Sequence, residues 1–179
     1  MRWTDFFSHL EYDFALDAHP PRESALYRDK ADTHVVDACA RAKALGEEVA
    51  VEVVTGDVFH VAPRAVSTDW FSGLLGGERG SGVVIPLSAV LWVEGDSVAS
   101  PGEKAPLVQA KLADVFTDMA RRHSPVTLRT PHSDAVGVIT SVGPDFCDLR
   151  LNPSPHSGTT RRFPFHAIVA IFQGAATWG

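Results

Sequence analysis

Cysteine is scarce in this chain, with two in 179 residues. Cys39 and Cys147 stand alone, without a C-x-x-C spacing, which excludes a disulfide framework and leaves two reduced core thiols. Long apolar runs are missing too, and none approaches the ~20 residues a membrane helix needs. No G-x-x-x-x-G-K-S/T phosphate loop occurs. The glycine-rich stretch from Gly73 to Gly82 lacks lysine and joins two strands. No G-x-S-x-G elbow is present, and Cys147 has no evident activating partner. The eight histidines are scattered, with no pair at the helical spacing a metal site uses. These absences predict a protein that is not an enzyme and binds no cofactor, metal or small-molecule substrate.

Positive charge is also in short supply. The net charge is −6, which argues against a general affinity for nucleic acid. The imbalance is local. Residues 47–94 carry seven acidic side chains against Arg64 and Arg79, whereas residues 123–179 carry four arginines against Asp134, Asp145 and Asp148. If one part meets an anion, it is the second. The N-terminus bears acidic residues throughout and has no small-residue cleavage site, so a cytoplasmic location is expected.

What the chain does contain is a pattern written twice. Ile85, Pro86, Ala89, Val90 and Val93 recur 78 positions later as Phe163, Pro164, Ala167, Ile168 and Ile171. Val66, Asp69 and Trp70 recur 76 positions later as Val142, Asp145 and Phe146. A near-constant offset marks two copies of one structural unit. Each copy reads as a helix followed by five short strands. The first helix ends at Leu45, with Gly46 at the terminating position; the second begins at Pro106 and ends near Arg122. Short valine-rich runs broken by Thr55-Gly56-Asp57 and Pro131-His132-Ser133-Asp134 read as strands and turns.

The fold expected from this is α+β. A helical hairpin at the N-terminus is followed by two tandem small β-barrels, Sm-like or SH3-like, each preceded by a helix. The boundaries are a helical segment at 1–46, a first barrel at 47–94, a linker and helix at 95–123, a second barrel at 124–174 and a tail at 175–179.

The aspartate-aromatic pair, the variable loop and the final V/I-P-x-x-A-V/I segment together resemble the Sm-like fold. The match is best in the second copy, from Gly137 to Phe146 and from Phe163 to Ile168. There His166, Ala167 and Ile168 resemble a segment of the bacterial host-factor (Hfq) RNA chaperones. Phe165 stands where that family has lysine, and Ser88 holds the histidine position in the first copy. Val49-Ala50-Val51, Asp69-Trp70-Phe71 and Ile85-Pro86-Leu87-Ser88-Ala89-Val90 are also similar to an actinobacterial family without an established activity. That resemblance covers nearly the whole chain and implies a fold and a compartment.

Candidate binding residues follow. Arg150, Arg161, Arg162 and His166 form the expected RNA-binding group, since arginine suits phosphate and histidine stacks on or donates to a base. The plainer readings are a solvated arginine pair and a strand-edge histidine satisfied by backbone. Trp3, Phe6, Phe7 and Trp178 offer apolar surface for a homo-oligomer or a protein partner. Asp69-Trp70 and Asp145-Phe146 read as turn acceptors followed by core aromatics. The leading expectation is an interaction module that binds protein, or itself, through barrel edges and loops. RNA binding through the second barrel is the alternative.

Overall fold

The computed structural model describes residues 35–76, 80–96, 106–151 and 158–173, all within the compact unit His34–Gly179. Helix α1 (Val35–Leu45) ends where Gly46 takes a positive φ of 69°. It lays Cys39, Ala40 and Ala42 against the sheet. Five strands follow, β1 (Val49–Val53), β2 (Val58–Val66), β3 (Trp70–Leu75), β4 (Gly82–Pro86) and β5 (Val90–Glu94). Pro86, at φ −62°, leads into a single 3-10 turn, Leu87–Ala89. Helix α2 (Leu112–Arg122) precedes β6 (Pro125–Arg129), β7 (Asp134–Val142), β8 (Phe146–Leu151), β9 (Thr160–Pro164) and β10 (Ala170–Gln173). No helix among the described residues is long and apolar enough to cross a membrane.

The ten strands form one antiparallel sheet in the order β5-β1-β2-β3-β4-β10-β6-β7-β8-β9. This overturns the expected pair of small closed barrels. The reason lies in the turn after β4. Three residues of 3-10 helix carry the chain away rather than folding β5 back beside β4, so β4 keeps an open edge. That edge is taken by β10, with Ile171 opposite Val84 and Phe172 opposite Val83. The N-terminal hairpin falls largely on residues 1–34, outside the described residues.

The halves share one plan. Each has the same internal strand order, with the fifth strand outermost beside the first. Their cores interlock at the β4–β10 seam. Side chains alternate along a strand, so neighbours on β4 and β10 serve opposite faces. Val83, Ile85, Ala170 and Phe172 enter the core of the first half. Trp70, Val84 and Ile171 enter the core of the second, around Phe116, Leu128 and Leu149. Arg129 closes the seam at one end. It pairs with Asp57 at 3.2 Å and Asp134 at 3.1 Å, and lies 5.3 Å from the centre of the Phe172 ring.

Helix α2 starts later than its sequence suggests. Residues 106–111 form no regular element because Leu107 packs into the first core and Val108 into the second. Helical spacing does not send adjacent residues to opposite sides of a sheet. The Lys111 amide donates to the Asp114 carboxylate at 2.8 Å, which caps the first turn.

Candidate functional site

The repeated aspartate-aromatic pair has diverged into two uses. Asp69 accepts a hydrogen bond from the Leu112 amide at 3.1 Å, and the Trp70 indole donates to the Ala110 carbonyl at 3.0 Å. The buried Ser67 hydroxyl donates to the same carbonyl at 2.7 Å. The turn between β2 and β3 therefore holds the start of α2, a role no local pattern announces. In the second half Asp145 is exposed, and Phe146 lies flat under Arg162 with 3.8 Å from the guanidinium to the ring centre.

The four expected RNA-binding residues do not form one patch. Arg162 makes a bidentate pair with Asp148 at 2.8 and 3.0 Å. That hydrogen bond, with the arginine's charge, holds the Asp148 carboxyl below its ordinary range. Arg150 lies on the same face of β8 as Asp148 and is half-buried. Its Nε is enclosed without a hydrogen-bond partner among the described residues. Arg161 sits opposite Leu149 and so projects from the other face. His166 is exposed in the 3-10 turn Phe165–Ala167. It lines a shallow groove with Asp69, Ser88, Lys111 and Pro144, so the equivalent positions Ser88 and His166 border the same space. The expected interface residues Trp3, Phe6, Phe7 and Trp178 lie outside the described residues. Among the described residues, no three His, Cys, Asp or Glu side chains gather as metal ligands.

The surface the sequence reading missed is the outer edge of β5. Leu91 is 57% exposed and Trp92 38% exposed, on a strand that among the described residues has a neighbour on one side only. The equivalent residues in the second half, Val169 just before β10 and Ala170 at its start, are buried. The repeat itself carries this signal, because Leu91 and Trp92 are large side chains at positions where the second copy has smaller ones. At the opposite rim, β9 presents exposed Thr160, Arg161 and Arg162.

The two thiols sit one in each core. Burial pushes Cys39 and Cys147 up to about 12. At pH 8 such a thiol is ionised to about one part in ten thousand. Labelling with an alkylating reagent is therefore expected to be negligible in the folded protein and rapid in urea. Fast native labelling would contradict the burial. The pH dependence has a definite sign. The folded thiols keep their protons above the free value of 9.0, so the unfolded chain deprotonates first. Their contribution is intact below pH 9 and is lost as the pH rises toward 12.

No protein-family model matches the sequence, and neither a curated protein nor a solved structure matches it.

Proposed function

We propose that this protein is a non-catalytic cytoplasmic interaction module that pairs its free sheet edges with strands of another polypeptide, self-association included. The observation that carries the reading is the outer strand β5, with Leu91 and Trp92 turned to solvent beside a row of backbone groups that no strand among the described residues pairs. Such an edge is a template for strand addition, and large apolar side chains on it add affinity. The β4–β10 seam supports the reading, since there the same kind of edge is already occupied within the molecule. RNA binding by the second half has less support. Arg162 is held by Asp148 and Phe146, and Arg161 faces away from Arg150.

Hydrogen exchange tests the reading. Raising the protein concentration about a hundredfold is expected to slow exchange at 90–94 and 160–164 by about tenfold or more, while the interior strand β2 stays unchanged. Edges that exchange freely at every concentration would overturn it.

A further inference from the structure

We propose that the groove between α2 and the β4–β10 seam binds a small amphipathic monoanion, an organic carboxylate on an unbranched alkyl chain. The proposal goes beyond the edge-pairing reading and does not rest on it.

The groove follows from a difference between the two halves. Ser72 lies opposite Val84 and Leu74 opposite Gly82, as Asp148 lies opposite Arg162 and Arg150 opposite Thr160 in the second half. Alternation puts each set of four on the face of its strands opposite to the core residues Phe71 and Leu149. In the second half long charged side chains cover that face, with Arg162 and Asp148 joined by their bidentate pair. In the first half the same four positions are uncharged, and two of them, Ser72 and Gly82, are small. A trough stands where the other half has an ion pair.

Helix α2 makes one wall of the trough with Val115 and Met119, both half-buried. The floor crosses five neighbouring strands, from Arg64 on β2 through Leu74, Val84 and Ile171 to Val126 on β6. Strands lie about 4.8 Å apart, so the floor is about 19 Å long. The volume is about 350 Å³. Sites for small ligands run from roughly 300 to 1,000 Å³. A long, narrow apolar floor suits an extended alkyl chain, and the unbranched Met119 side chain adapts to one.

The two ends of the trough differ in charge. Helix α2 leads directly into β6, so its C-terminal carbonyls, which disfavour an anion, lie toward the β6 end. Arg122, in the last turn of α2, already pairs there with Asp118 at 2.7 Å. At the β2 end Arg64 is exposed and has no ion pair or hydrogen bond among the described residues. One uncompensated guanidinium at the head of an apolar floor matches one negative charge at the head of an apolar body. A phosphate monoester, with about two charges, would leave one unmatched.

The test uses octanoate, titrated into the full chain and followed by nuclear magnetic resonance of backbone amides and of the Met119 methyl group. Binding is expected with a Kd below about 1 mM, with shifts confined to residues 72–74, 82–84 and 171–173 and to Met119. Butyrate, which keeps the charge and loses the chain, is expected to bind about tenfold more weakly or worse. Arg64→Gln is expected to weaken octanoate by about fivefold or more and to leave octanol, the neutral analogue, unchanged. Gly82→Leu is expected to abolish both. Gly82 has no positive φ, and an added Cβ would meet Gln173 alone, its nearest atom the amide oxygen at 3.3 Å on an exposed side chain. The variant therefore fills the trough at small cost to the strand, and an unchanged urea midpoint will show that it folds. Absence of binding at about 10 mM octanoate overturns the proposal. So do shifts spread over exposed apolar sites such as Leu91 and Trp92, or undiminished binding to a folded Gly82→Leu. If Gly82→Leu does not fold, the Arg64→Gln comparison decides alone, and an equal response of octanoate and octanol overturns the site.

Discussion

Replacing Phe116 with alanine is expected to lower the free energy of unfolding by about 3–5 kcal/mol, the largest single-residue effect in the second half. Phe116 is fully buried at the centre of the second core. Its ring stacks on Phe165 with centroids 5.0 Å apart and planes 10° apart. It shares that core with Leu128, Ile139, Leu149 and Ile168. Few other α2 side chains are buried, Leu112 being the main one, so the helix has little else to hold it against the sheet. Truncation removes the transfer free energy of the ring and leaves a cavity that strands on a fixed register cannot collapse into. Phe116→Leu, which keeps most of the volume, is expected to cost about 1–1.5 kcal/mol. Urea titration followed by tryptophan fluorescence measures both. A loss below about 1 kcal/mol for the alanine variant would show that α2 is not seated as described.

Gly73→Val is expected to be comparably damaging, at about 3 kcal/mol or more, for the opposite reason of too much volume. A Cβ at Gly73 would lie 2.4 Å from both the Ala62 carbonyl oxygen and the Val61 Cγ1. The carbonyl belongs to the paired strand, where β2 is already irregular between Pro63 and Ala65. Neither strand can retreat without breaking the ladder on its far side. Gly137 meets the same limit in the second half, where an added Cβ would lie 2.3 Å from the Arg150 carbonyl oxygen. Even Gly73→Ala is expected to lower the midpoint in urea. An unchanged midpoint would mean that the strands do not approach so closely. Glycine in a strand interior usually weakens it, and here the close approach of a neighbouring backbone explains its presence.

Much of this was legible in the sequence. The alternation of Val49, Val51 and Val53, the turn at Thr55-Gly56-Asp57 and the recurrence of each strand about 77 residues on placed the elements nearly where they lie. The joining of the halves was not legible. Val83, Val84, Ile171 and Phe172 are apolar, and an apolar residue reads the same whether it fills a closed barrel or seals a seam between two half-sheets. The start of α2 was misread because Leu107 and Val108 fit a helical stripe while in fact parting to two cores. Asp69 was expected to serve its own turn; it does meet the Ser67 hydroxyl there, at 3.4 Å, but its other carboxylate oxygen takes the distant Leu112 amide. Contacts across some forty residues leave no mark in local spacing. Of the candidate site, Arg161 was expected in an RNA-binding group with Arg150, yet the pairing of β8 with β9 sets the two on opposite faces of the sheet, which residue spacing alone does not reveal.

The interlocked cores bear on biosynthesis. Residues 39–89 provide most of the first core, yet Val169, Ala170 and Phe172 complete it. A ribosome delivers those three side chains some eighty residues after β4 has emerged. Until then the nascent first half carries an unfilled hydrophobic slot and an open strand edge, both targets for a chaperone or for another nascent chain. Maturation therefore waits on the arrival of β10, and the two halves reach their native form together.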